Sequence, residues 1–162
     1  MHTISEFGLN TIKKFEGLRL NAYQCPAGVY TIGYGSTRFP DGSCVSMFDK
    51  LHDEVEATEL LKSTVQAYEQ CINDALPNLN QNQFDALVSF TYNIGTGAFL
   101  SSTLLKLAKV NAQDSGIRNE FMRWNRAAGR ILPGLQARRS EEAKLYFSLN
   151  NVQRNADFAS LY

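Results

Sequence analysis

Cysteine is scarce in this chain, and its scarcity removes several classes of protein at once. The 162 residues hold only Cys25, Cys44 and Cys71. An odd number at wide intervals makes no complete disulfide framework, and no spacing matches a zinc site. Such usage fits synthesis in a reducing cytoplasm. Long apolar runs are missing as well. None approaches the roughly 18 residues of a membrane span, so stable membrane insertion is not expected. The start, MHTISEFGLNTIKKFEG, interrupts its apolar residues with Glu6 and other polar groups. It has no continuous apolar core of the signal-peptide kind, so a substrate beyond the membrane demands another route of release. Low-complexity stretches and internal repeats are also wanting, which argues against disordered and solenoid architectures.

What is present describes a soluble globular domain. Hydrophobic residues make up 44% and charged residues 20%, an ordinary balance for that class. A chain of this length buries roughly 68–70% of the surface its unfolded form exposes, so it needs no metal or disulfide staple. Net charge is zero, yet it is unevenly spread. Residues 1–76 carry 6 Lys and Arg against 10 Asp and Glu, while residues 118–162 carry 8 against 4. The basic end includes Arg123, Arg126, Arg130, Arg138 and Arg139. It fits either a patch for an anionic polymer or a solvated helical face with internal ion pairs.

Taken in order, the chain opens on a helix. Ser5 suits an N-cap, Leu9, Ile12 and Phe15 recur at helical spacing, and Gly17 is a natural terminator, so the helix spans about Glu6 to Glu16. Residues 18–46 change to strand formers broken by Cys-Pro-Ala-Gly, Gly-x-Gly and Pro-Asp-Gly-Ser, predicting about three short antiparallel strands. Asp53 and Glu56 form an acidic variant of a capping box, opening a long helix that Pro77 ends. Everything beyond is helical: one helix through Phe84 to Gly95, one around Leu104–Leu107, one through Ile117, Phe121 and Trp124 that stops before Gly129, and one from Leu135 to Tyr146. The class is α+β but mostly α. One domain over 1–162 divides into a small sheet lobe at 18–52, a connecting helix at 53–76, and a helical lobe of 77–162 with 1–17. The cleft between lobes is the default ligand site.

At the helix–sheet seam lies FEGLRLNAYQCPAGVYTIGYGS, from Phe15 to Ser36. Glu16, Cys25 and Thr31 are separated by eight and five residues. Singly, each has a plain structural reading: a solvated acid, a small buried hydrophobe, a strand residue. Together they offer an acid, a base or nucleophile, and a hydroxyl.

This segment resembles the catalytic segment of the phage-type lysozymes, or endolysins, of glycoside hydrolase family 24, in which a glutamate, an aspartate or cysteine, and a threonine recur with these gaps. Leu79–Phe99, LNQNQFDALVSFTYNIGTGAF, is similar to the family's second signature. The stretch with Trp124, Gly134-Leu135 and Arg138-Arg139-Ser140-Glu141 is similar to its third. The resemblance implies a lysozyme-like fold and hydrolysis of the β-1,4 bond between N-acetylmuramic acid and N-acetylglucosamine in peptidoglycan, with inversion, for host cell lysis. It implies Glu16 as proton donor, kept protonated by burial and by the negative end of its helix. It implies Thr31 as the group that positions water, and Cys25 in the place of the commoner aspartate. A thiolate there either serves as base or attacks C1 itself. With Arg19 the one nearby cation in the segment, the thiol keeps an ordinary acidity and activity rises from pH 6 to above pH 8.

Tyr92, Asn93 and Ile94 match the part of the second signature that lines the family's cleft, although Tyr92 also reads as helix core. Trp124 reads as core anchor or sugar platform. Gln136 stands where some members carry an arginine that pairs with the acid, and Ser36 where a histidine is common. The same resemblance implies no cofactor, no metal, no nucleic-acid partner, and a monomer made in the host cytoplasm. That monomer reaches the periplasmic wall through a holin pore. A catalytically dead wall-binding module and a secreted antibacterial effector are the rival readings.

Overall fold

A computed structural model describes residues 1–148 of the chain. Two compact units are apparent, one of Leu9–Ala67 and one of Met1–Gly8 with the residues from Tyr68 onward. Among the described residues no helix is long and apolar enough to cross a membrane.

The Leu9–Ala67 unit holds most of α1 (Glu6–Glu16), a hairpin of β1 (Arg19–Gln24) and β2 (Tyr30–Gly33), and the first part of α2 (Glu54–Ala75). Helix α1 buries Leu9 and Ile12 on one face, as its spacing predicts. It stops where Gly17 takes φ +72° and donates its N–H to the Lys13 carbonyl at 3.0 Å. Only glycine enters that left-handed region without strain. The hairpin is antiparallel, with Arg19 opposite Gly33, Tyr23 opposite Thr31 and Gln24 opposite Tyr30, and an irregular register between Arg19 and Tyr23.

The third of the short strands expected in residues 18–46 does not form. Single bridges, Asn21 with Lys50 and Arg38 with Cys44, take its place. Local side chains claim the backbone groups that a ladder would use. Asp41 Oδ1 accepts from the Ser43 N–H at 2.9 Å, and Asp49 Oδ2 from the Ser46 N–H at 2.6 Å. The cap of α2 also differs from expectation. Asp53 Oδ1 accepts from the Glu56 N–H at 3.0 Å, but the Glu56 carboxylate returns to the His52 N–H rather than to that of Asp53.

In the second unit α3 (Gln81–Ile94) is buried from Gln83 to Thr91. A reciprocal box fixes its start: Asn80 Oδ1 accepts from the Gln83 N–H at 2.9 Å and Gln83 Oε1 from the Asn80 N–H at 3.0 Å. Around it follow α4 (Thr96–Ser101), α5 (Thr103–Val110), α6 (Gly116–Met122) and α7 (Pro133–Tyr146). Phe90 meets Phe121 and the half-buried Trp124 edge-on, with ring centroids 5.0 and 5.9 Å apart.

Helix α6 ends earlier than its apolar spacing predicts. Residues 126–131 form a small hairpin, β3 (Arg126–Ala127) with β4 (Arg130–Ile131). Its two-residue turn puts Ala128 at φ +48° and Gly129 at φ +76°, the paired positive angles that suit the twist of a tight hairpin.

Of Arg123, Arg126, Arg130, Arg138 and Arg139 at the basic end, the first three are exposed, but the other two fit neither a patch nor a solvated face. Arg138 and Arg139 are 3% and 0% exposed, and both pair with the buried Glu142.

Candidate active site

Cys25 opens the turn that links β1 to β2. Its N–H donates to the Val29 carbonyl at 2.9 Å, its carbonyl accepts from the Gly28 N–H at 2.8 Å, and Gly28 sits at φ +80°. The Gln24 amide closes the turn on the Gly28 carbonyl at 2.9 Å. This short loop folds its own backbone toward the half-buried sulfur. The N–H groups of Val29 and Ala27, with the Thr31 hydroxyl, hold the thiol below its ordinary value despite some opposing desolvation. No cation is needed for this, because partial positive charge on backbone amides stabilises a thiolate in the same way. The expectation that the thiol keeps an ordinary acidity for want of a nearby charge is therefore wrong. Arg19 instead lays its guanidinium over the Tyr23 ring, 5.8 Å from the centroid.

Thr31 is 5% exposed, and its hydroxyl has two acceptors within reach, the Val29 carbonyl at 3.2 Å and the Cys25 sulfur. A hydroxyl has one proton to give. Whichever acceptor takes it, the oxygen's lone pairs stay available for a second partner. The structure thus brings Cys25 and Thr31 together.

Glu16 belongs to the same unit, half-buried on the last residue of α1. The turn that carries it is braced by residues with no evident motif in the sequence. Lys13 lies 5.4 Å over the Tyr34 ring and 3.7 Å from the Glu54 carboxylate, and the Tyr34 hydroxyl donates to Glu54 at 2.8 Å. Desolvation and that carboxylate push the Tyr34 phenol up to about 12, so it remains a donor through the working range of pH.

Ser36, in the place where the family often carries histidine, is 1% exposed and lies 2.7 Å from the Thr64 hydroxyl. Thr64 spends its proton on the Leu60 carbonyl at 2.9 Å, so Ser36 must be the donor between them. A small hydroxyl here ties the hairpin's end to α2.

Tyr92, Asn93 and Ile94 close α3 in the other unit. The half-buried Tyr92 ring packs 5.2 Å from that of Tyr68. Asn93 is exposed, and its Oδ1 accepts from Arg139 Nη2. Behind it lies a charged cluster that sequence reading missed. Arg138 Nε is 3.1 Å from Glu142 Oε1, Arg139 Nη1 is 2.9 Å from Glu142 Oε2, and the Ser89 hydroxyl donates to Oε1 at 2.7 Å. Burial pushes the Glu142 carboxyl up, and the two guanidiniums and Ser89 oppose that push. The available signal was the i, i+3 and i, i+4 placing of Glu142 after Arg139 and Arg138.

The described elements are α+β and mostly helical, and the solved structures similar to them include an endolysin and the lysozyme of phage P22. The family model described as phage lysozyme matches residues 13–142. An endolysin of Bacillus phage PZA is 43% identical over 148 residues, covering 90% of this chain and 55% of that protein. An endolysin of Acyrthosiphon pisum secondary endosymbiont phage 1 is 44% identical over 91% of this chain and 99% of its own length. The solved endolysin from Escherichia coli O157:H7 phage FAHEc1 superposes with a TM-score of 0.81 at 38% identity, covering 91% of this chain and 94% of that one. This chain spans little more than half the length of the Bacillus phage relatives it matches. It belongs to the phage lysozyme family.

Proposed function

We propose that this chain is an endolysin-type muramidase. It hydrolyses the β-1,4 bond between N-acetylmuramic acid and N-acetylglucosamine of peptidoglycan during host cell lysis. The observation that carries the reading is the acidified Cys25 sulfur beside the Thr31 hydroxyl, on the hairpin that follows the helix ending in Glu16.

Glu16 gives its proton to the leaving oxygen. The Cys25 thiolate stands in for the carboxylate that a glycosidase sets on the other side of the bond. Thr31 orients the water, which loses its proton to the sulfur as its oxygen attacks C1, and the configuration inverts. Direct attack by the sulfur on C1 is the alternative route, and it too ends with a positioned water that releases the sugar from the enzyme. The proposal extends to one lysozyme domain that acts as a monomer. It is made in the host cytoplasm and passes through a holin pore to the periplasmic wall. The relatives named endolysin support that setting.

Clearing of chloroform-treated Gram-negative cells tests the whole. Purified protein is expected to lyse them. Glu16→Gln should lose roughly 10²–10⁴-fold in rate, the usual contribution of a general acid. Unchanged lysis by that variant would overturn the assignment. A covalent sugar adduct on Cys25, found by mass spectrometry after rapid quenching, would replace the base with a nucleophile.

A further inference from the structure

The cluster behind Asn93 does more than fill the core of its unit, and its chemistry fixes what Asn93 can offer a ligand. Arg139 is fully buried, with its guanidinium carbon 4.9 Å over the Phe90 ring and Nη1 on Glu142. Arg138 and Ser89 hold Glu142 from the other side, and Arg138 Nη2 also donates to the Ser89 carbonyl at 3.2 Å. With the ring beneath the guanidinium and the carboxylate beside Nη1, Nη2 reaches Asn93.

A guanidinium has donors only. The Asn93 atom that faces it must therefore be the oxygen, and the planar amide then turns its NH2 group the other way. We infer that Arg139 is a positioning residue that locks Asn93 as an outward hydrogen-bond donor, so that the group recognised at this point of the wall is an acceptor. The inference rests on the muramidase reading and on the resemblance that puts Asn93 in the family's cleft-lining segment. Acceptors of suitable chemistry on peptidoglycan are carbonyl oxygens, from N-acetyl groups or from the lactyl-peptide arm. An amide free to rotate would accept from hydroxyls as readily as it donates to carbonyls. Locking it removes that ambiguity and disfavours a ligand group that can only donate at this point.

Asn93→Asp isolates the idea. It preserves the shape and still gives Arg139 an acceptor, but it replaces the outward donor with an acceptor oxygen. We expect KM on soluble glycan fragments to rise at least tenfold with kcat within about twofold, and thermal melting to hold. Arg139→Lys should raise KM in the same direction, and combining it with Asn93→Asp should add little, because both act through one amide. Should the lysine variant fail to fold by circular dichroism, Asn93→Asp alone still decides.

Binding is also measured in the Glu16→Gln background, by co-sedimentation with purified sacculi and by titration with N-acetylglucosamine oligomers. That arm separates the inference from the muramidase reading, since it needs no turnover. Weakened binding to both ligands assigns the acceptor to an N-acetyl carbonyl, and weakened binding to sacculi alone to the lactyl-peptide arm. Wild-type KM and undiminished binding in Asn93→Asp would overturn the inference.

Discussion

The Thr31 hydroxyl reaches the sulfur of Cys25 across the mouth of a hairpin turn, where backbone N–H groups of Val29 and Ala27 already converge. Each of these donors favours the thiolate. Removing one should make the thiol less acidic. In Thr31→Val the pH midpoint for alkylation of Cys25 by iodoacetamide should move upward, toward that of a free thiol, with Cys44 alkylation in the same sample as internal standard. An unmoved midpoint would mean that the hydroxyl does not serve the sulfur.

The same acidity sets the pH dependence of lysis. The deprotonated sulfur is the active form, and the fold lowers its value, so the rising limb of activity belongs below the ordinary thiol range rather than above pH 8. An aspartate is ionised well below this window. Cys25→Asp should therefore show no rise between pH 6 and pH 8, whereas the native chain should climb through it. Superimposable pH–rate curves would remove the sulfur from the chemistry.

Glu142 is a buried anion held between two cations and a hydroxyl. Truncating it strands both guanidiniums without a counter-charge. Glu142→Ala should cost about 3–5 kcal/mol, read from urea or thermal unfolding. A loss under about 1 kcal/mol would show that water reaches the cluster and solvates the arginines.

Gly8 sets helix propensity against packing. Alanine in a helix interior is favoured over glycine by roughly 1 kcal/mol. A β-carbon at this position, however, would lie 2.6 Å from Ile4 Cγ1 and 2.8 Å from the Asp85 carboxyl carbon. Asp85 cannot easily retreat, because it accepts from the Ser5 N–H at 3.0 Å, from the Ser5 hydroxyl, and from Gln81 Nε2 at 2.8 Å. Gly8→Ala should thus destabilise by roughly 1–3 kcal/mol in spite of its propensity. A more stable variant would show that this N-terminal anchor yields.

Much of this was legible from residues alone, and the exceptions have physical causes. Helix α1 ends at Glu16 as the Gly17 signal predicts, and α3 at Ile94 before Gly95, because a glycine stop depends on local backbone geometry. The third strand failed since Asp41, Ser43 and Asp49 compete for their own backbone. The hairpin at Arg126–Ile131 escaped notice because its four strand residues are all exposed and show no alternation. Arginines 138 and 139 read as surface because arginine is almost never fully buried unless paired, and the pairing is tertiary as well as local. The donors around Cys25 are backbone groups, which carry no residue letter to be read.

The sharpened acidity of that turn also determines how the protein ages. Peroxide attacks thiolates in preference to thiols. Cys71 and Cys25 are both half-exposed, but desolvation pushes the Cys71 thiol up while that of Cys25 is pushed down. Of these two half-exposed thiols, Cys25 should take up oxygen first on storage in air, and preparations that carry this added oxygen will have the shorter working life.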